Sequence, residues 1–216
     1  VREAPSIFRA NCIQLSIEAI VYRDRVIGEQ RQGSIGGHEA VLVGEHVALR
    51  PHTVETLPAL KRWYADPALV RLARHRNEPL TGDEVERLVR DRFTTAQMLA
   101  FALYERIGTE EHLIGSCTLA NLDIENGAAS FHLMIGEPGA RGRGLGSEAT
   151  RLVTRFAFEA LGLHRISLTL FAFNEAALRC YTKAGFTEEG RMRDAITRDG
   201  RRWDEIQMGL LATDAS

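Results

Sequence analysis

Arg141-Gly142-Arg143-Gly144-Leu145-Gly146 lies between a strand-like run, Ala129–Gly136, and a helical stretch from about Leu145 to Leu161. Its reading decides the fold. Glycine has no Cβ, so the main chain of such a loop can approach a ligand closely. The first N–H groups of a helix lack intrahelical partners, and the helix dipole adds about 0.3–1 kcal/mol per nearby negative charge. Residues 141–147, ending at Ser147, therefore form a candidate anion cradle, with the Arg141 and Arg143 guanidiniums as charged donors beside it. A diphosphate would suit it. Three other readings compete. A dinucleotide fingerprint requires G-x-G-x-x-G after an early parallel strand, whereas this spacing is G-x-G-x-G after antiparallel-looking strands. A P-loop requires Gly-Lys-Ser/Thr, and the loop has no lysine. The plain alternative is a glycine-rich turn that holds nothing.

Downstream, Arg165–Phe171 alternates as a strand. Asn174 opens a helix carrying Ala177, Leu178 and Tyr181, and Gly185 ends it. Strand candidates at Thr187–Ala195 and Trp203–Leu211 flank an Asp199-Gly200 turn. Upstream, Ala40–Val43 and His46–Arg50 read as a hairpin. A helix over Val54–Ala65 is ended or kinked by Asp66-Pro67. Thr81-Gly82-Asp83-Glu84 is a capping box before the apolar stripe Val85, Leu88, Val89, Phe93. Strand-like runs Met98–Tyr104, Leu113–Leu122 and Ala129–Gly136 follow, the last two joined by Glu125-Asn126-Gly127. Residues 1–38 differ in character. Ile13 to Val21 has a strand period, and Gly33 to Gly37 reads as a flexible link. This segment is read as an appendage, an extra edge strand or arm, before a domain over 39–216. The sharper alternative is a strand exchanged with a second subunit, which would make a homodimer.

The chain has 216 residues, 27 basic and 29 acidic, a net charge of −2. That balance disfavours a nucleic-acid binder. Nearly all the positive charge is arginine, Lys61 and Lys183 being the lysines. Cys12, Cys117 and Cys180 are odd in number and widely spaced, which fits a reducing, cytoplasmic compartment. No apolar run approaches the ~18–20 residues of a membrane span, and no signal peptide is visible. The seven histidines show no metal spacing.

Arg141-x-x-Gly144-x-Gly146 resembles the R/Q-x-x-G-x-G/A signature that cradles the coenzyme A pyrophosphate in the GNAT acetyltransferases. Asn174-Glu175-Ala176-Ala177-Leu178-Arg179-Cys180-Tyr181-Thr182-Lys183-Ala184-Gly185-Phe186 resembles that family's second motif, N-x-x-A-x-x-x-Y-x-K-x-G-F. The tail, Glu189-Gly190-Arg191 through Arg202-Trp203-Asp204-Glu205-Ile206-Gln207-Met208, is similar to the branch holding ribosomal-protein N-terminal and spermidine acetyltransferases. The resemblance covers roughly residues 40–212. It implies an α/β (α+β) fold, a mixed, mostly antiparallel sheet of about seven strands flanked by helices.

It further implies direct acetyl transfer from acetyl-CoA, a co-substrate, to a primary amine (a protein or peptide N-terminus, a polyamine or another small amine), with no metal. Met134, Ile135 and Gly136 would line the pantetheine arm through their main chain. The amide near Ile135 would polarise the thioester carbonyl. Gly142, Arg143, Leu145 and Ser147 would complete the diphosphate loop. Tyr181 matches the family's general acid. A phenol of pKa about 10 can protonate a thiolate of pKa about 8.5 across a gap of about 2 kcal/mol. The plain alternative is a packed ring. Asn174 would bond the pantetheine amide, or serve only as an N-cap. Cys180 reads as packing. Candidate bases are Glu137, His132, Asp123, Glu125 and Glu78, each weak alone, and a water chain could serve instead. A non-catalytic acyl-CoA-binding module is the alternative to an enzyme.

Overall fold

Alternating apolar residues between turn signals build eight strands in the computed structural model, which describes residues 40–73, 75, 78–93 and 95–214. They are β1 (Leu42–Val43), β2 (Val47–Pro51), β3 (Met98–Ile107), β4 (Glu110–Asp123), β5 (Ala128–Ile135), β6 (Arg165–Phe171), β7 (Thr187–Arg198) and β8 (Arg201–Leu211). They form one sheet in the order β1-β2-β3-β4-β5-β6-β8-β7. The eighth strand, beyond the roughly seven the resemblance implies, is β1, which pairs Leu42 with Leu49. Neighbours are antiparallel except β5 and β6. A parallel pair needs a crossover, here the glycine-rich loop and α4 (Leu145–Glu159). The strand-like pattern within residues 1–38 lies outside the described residues.

Four further helices complete the fold: α1 (Leu57–Tyr64), α2 (Pro67–Ala73), α3 (Gly82–Arg92) and α5 (Glu175–Lys183). The helical stretch expected from Val54 begins as a 3-10 turn, Val54–Thr56, before α1. Pro67 does more than stop that helix: it starts α2. Proline suits a first helical turn because its missing N–H would have no partner there. The Asp66 carboxylate accepts the Ala68 amide at 2.8 Å as the new cap. The capping box at Thr81 and Glu84 forms in both directions.

The sheet has a core on each face. One packs α4 and α5 through Phe156, Val153 and Tyr181 against Phe131, Ile166 and Ile206. The other packs α1, α2 and α3 through Leu60, Trp63, Leu69 and Val85 against Ala100 and the flank of Met134. These two faces set the two sides of the site.

Candidate active site

β5 and β6 pair only at their starts, Ala128–Ser130 with Arg165–Ser167. Beyond this they diverge, and Phe131–Ile135 runs on with a partner on its β4 side alone. Antiparallel alternation sorts its amides. Gly136 N–H donates to Ile114 O at 2.8 Å, so the even residues, Met134 among them, turn toward β4. The odd residues, Leu133 and Ile135, turn into the gap. Of the three positions expected to present main chain to a ligand, Ile135 turns its amide into the gap, while Met134 and Gly136 are committed to the sheet.

The loop after β5 makes a 3-10 turn, Pro138–Ala140, and enters α4 at Gly144. Gly144 is the N-cap at φ +85°, a left-handed conformation strained for residues with a Cβ. It supplies no side-chain cap, so the first amides of α4, at Leu145, Gly146 and Ser147, have no capping side chain on the connection that leaves β5. The acidic residue of that turn is directed elsewhere. Glu148 accepts the His46 amide at 2.9 Å and the Val47 amide at 3.3 Å, tying β2 to α4.

Both arginines brace the loop. Arg141 donates from Nε to Ile135 O at 3.1 Å and from Nη2 to Gly136 O at 2.9 Å, securing the open end of β5. Arg143 forms a bidentate pair with the nearly buried Glu105, at 3.0 and 2.5 Å. Both guanidiniums expected beside the anion cradle are thus engaged with the protein itself. Leu145 is buried. At Gly146 a Cβ would sit 3.2 Å from Leu133 Cδ2 and 3.3 Å from Cys180 Sγ, so this glycine lets α4 settle on β5 and α5. Ser147 Oγ donates to Cys180 O at 3.3 Å, which makes it a helix-to-helix contact.

Tyr181 projects from α5 toward the gap. Its ring packs edge-on to Phe131 at 6.2 Å, and its phenol oxygen is hydrogen-bonded by the Leu133 backbone. Burial pushes the phenol pKa well above its ordinary value, and Cys180 and Cys117 add to this; the Leu133 bond opposes them. Tyr181 is thus a packed ring and also a protonated donor on the gap-facing side of β5. Asn174 is an N-cap: its Oδ1 accepts the Ala177 amide at 3.2 Å, while Nδ2 donates to Leu72 O at 3.3 Å and fastens α2 over the β6–α5 junction. Cys180 is half-buried packing, as expected.

The candidate bases fare differently. Glu137 accepts the Trp63 indole N–H at 3.0 Å and pairs with Arg62, so it clamps α1 to the end of β5. Asp123 caps the β4–β5 turn through Asn126, whose hydrogen bonds hold the carboxyl below its ordinary range. Glu125 is on that turn, and His132 and Glu78 are exposed, none brought to the gap by a described contact. No group of three metal-binding side chains occurs among the described residues.

Sequence reasoning missed a polar and aromatic cluster on the α2 face of β6 and β8. Phe171 and Phe173 stack at 5.5 Å, and Trp203 meets Phe173 edge-on at 5.4 Å. Three guanidiniums lie over these rings: Arg71 over Phe173 at 4.7 Å, Arg198 over Phe171 at 5.5 Å and Arg201 over Trp203 at 4.2 Å. His75 contacts Phe171 edge-on at 5.2 Å and the buried Glu205 at 3.2 Å. The signal available was an acid in a strand, Glu205; which face it took was not.

The model for the "Acetyltransferase (GNAT) domain" matches residues 46–187. The SPbeta prophage-derived uncharacterized N-acetyltransferase YokL of Bacillus subtilis is 30% identical over 104 residues, 48% of this chain and 58% of that one. Alpha/beta-tubulin-N-acetyltransferase 9 of Mus musculus is 26% identical over 180 residues, 76% of this chain and 74% of that one. Spermidine N(1)-acetyltransferase of Vibrio cholerae is 28% identical over 102 residues, 47% and 58%. The matches thus span little more than half the length of the two bacterial relatives. Among solved structures, spermidine N-acetyltransferase from Vibrio cholerae in complex with CoA and spermine superposes with a TM-score of 0.71 at 22% identity, covering 80% of this chain and 99% of that one. That likeness is one of fold.

Proposed function

The chain belongs to the GNAT acetyltransferase family, and on that premise we propose that it transfers an acetyl group from acetyl-CoA to a primary amine. The observation that carries this is the meeting of three features: a helix start at Gly144 without a side-chain cap, a β5 edge turned into the β5–β6 gap, and the Tyr181 phenol on that edge. The main chain of residues 142–147 receives the diphosphate. The gap-facing groups of Leu133 and Ile135 hold the pantetheine arm, and the Ile135 amide stabilises the oxyanion. The second N–H of the Asn174 side chain reaches toward the same arm. Tyr181 gives its proton to the leaving thiolate. Burial keeps the phenol protonated through neutral pH, and a thiolate in the same desolvated gap is raised in pKa for the same reason, so the transfer stays nearly balanced.

Among acceptors, we favour the single amine of a peptide N-terminus over a polyamine. A polycation needs acids, and two of those on α3 are engaged: Glu84 closes the capping box, and Glu86 pairs with Lys61. The α2 face of β6 and β8 instead carries three arginines on aromatic rings, Arg71 paired with Asp199, Arg198 buried and Arg201 exposed, a positive balance that opposes a polyamine and suits a peptide carrying carboxylates. No helix among the described residues is long and apolar enough to cross a membrane, and Cys117 and Cys180 are free thiols, in keeping with a cytoplasmic setting.

The test is thiol release from acetyl-CoA with a panel of spermidine, aminoglycosides and short peptides. Peptides should be acetylated and spermidine should lag. Tight acetyl-CoA binding with no turnover on any amine would identify an acyl-CoA-binding module instead.

A further inference from the structure

Glu205 is 6% exposed, on the α2 face of β8, and a buried carboxylate costs several kcal/mol unless it is partnered. Among the described residues its side-chain partner is His75, whose Nε2 lies 3.2 Å from Oε2. His75 is held from another side by Phe171, edge-on at 5.2 Å, yet its side chain remains 67% exposed. An imidazole fixed by a buried acid and open to solvent is the arrangement in which a carboxylate orients a base: when Nε2–H donates to Glu205, the lone pair sits on Nδ1.

Its position is set by register. Ser130 pairs with Ser167, so five residues further along, Ile135 stands level with Ala172 across the gap, and Met134 with Phe171. Phe171 pairs directly with Glu205. Leu168, Leu170 and Ile206 face the α4 core, whereas Phe171 and Glu205 face α2, as does the side chain of Met134. His75, packed on Phe171 and Glu205, therefore lies over the end of β6 that borders the gap, on the opposite face of the sheet from α4 and α5.

We propose that His75 is the general base of the transfer and Glu205 its positioning residue. This rests on the acetyltransferase reading above. The acceptor arrives as an ammonium. His75 Nδ1 takes one proton, the nitrogen lone pair attacks the thioester carbonyl carbon, a C–N bond forms and the C–S bond breaks. The ammonium sheds two protons on becoming an amide. One passes through His75 to solvent, and the other replaces the proton that Tyr181 gives to the thiolate. The charged groups around His75, among the described residues, are Glu205 from β8, the Arg71–Asp199 pair joining α2 to the β7–β8 turn, and Arg198 over Phe171 from β7; Glu78 follows three positions along the chain.

The experiment measures kcat and kcat/KM against pH for the wild type, His75→Gln, His75→Ala and Glu205→Gln, using the best amine of the panel, together with acetyl-CoA affinity. His75→Gln and His75→Ala should each lose about 10²-fold in kcat with the coenzyme Kd unchanged. The fall of wild-type rate on the acid side should disappear, and added imidazole should restore part of the His75→Ala rate. Glu205→Gln should keep the acid-side fall but at a reduced rate. A His75→Gln rate within about threefold of wild type, an unchanged pH profile, or failure of imidazole to rescue His75→Ala would overturn the assignment. A wild type that binds acetyl-CoA and acetylates nothing in the panel would overturn the acetyltransferase reading, and this one with it.

Discussion

Tyr181 combines two demands that pull against each other. Its ring is buried against Phe131 and Phe186, which stabilises the α5 packing, and the same burial holds the phenol neutral. Tyr181→Phe preserves the packing and removes only the proton. It should lower kcat about 10²-fold or more while leaving acetyl-CoA affinity within about twofold, as measured by single-turnover kinetics and calorimetry. Cys117 is likewise buried with its thiol pKa pushed up by desolvation. The sign for stability follows. Above the ordinary thiol pKa of about 8.5 the unfolded chain loses protons that the folded chain keeps, so stability falls as pH rises from there, and the Tyr181 phenol adds to this above about 10. Urea midpoints measured between pH 7.5 and 10.5 should decline, and Cys117→Ala should shrink the first part of the decline. Gly144 shows how a residue's reason can differ from its appearance. A Cβ there would meet nothing within 4 Å, so the glycine serves the +85° φ and not the space. Gly144→Ala alone should therefore cost about 1–2 kcal/mol at the α4 start before any ligand is considered.

At the scale of elements, the end of β5 is held by a clamp from α1. The Trp63 indole lies against the Gly136 Cα so closely that a Cβ at 136 would overlap the ring, and Glu137 fixes Trp63 and Arg62 from the next position. Gly136→Ala should force the indole aside, costing about 1–3 kcal/mol, visible as a shift in tryptophan emission and a lower urea midpoint. Thr81→Ala, by contrast, removes half of a capping box remote from the gap. It should cost about 1 kcal/mol, or roughly 2–4 °C in Tm, with turnover unchanged. The contrast marks what sequence could show. Thr81 with Glu84, and Asn174 with Ala177, are contacts three residues apart, governed by local backbone geometry, and both were legible. Trp63 on Gly136, and Arg143 on Glu105, join segments 73 and 38 residues apart. They depend on how helices seat on the sheet, which no local pattern specifies. α2 was lost for a subtler reason: proline ends one helix and suits the first turn of the next, and the letters Asp66-Pro67 are the same in both cases.

For the whole molecule, the succession of strands along the chain and the two glycine- and asparagine-led motifs could be read in advance, because each strand carried its own alternation and turn; their order in the sheet could not. The divergence of β5 from β6 could not be read from these residues alone. It arises where a parallel pair is crossed by α4 and where Tyr181 and Leu133 occupy the space a further ladder would need. That divergence makes ligand and stability one question. A ligand gripping α4, β5 and α5 together binds the folded state alone, so acetyl-CoA at a hundred times its Kd should add about 2.7 kcal/mol, a rise of roughly 5–10 °C in Tm. NAD, whose diphosphate is similar but which has no pantetheine arm to lie along β5, should give little. Every contact invoked for that grip lies within residues 40–214. A chain beginning at Glu39 should therefore show the same acetyl-CoA shift as the full chain, while light scattering of the two reports whether residues 1–38 join a second subunit. A shift lost on that truncation would place part of the coenzyme site in the appendage and end the assignment of residues 39–216 as a self-sufficient catalytic domain.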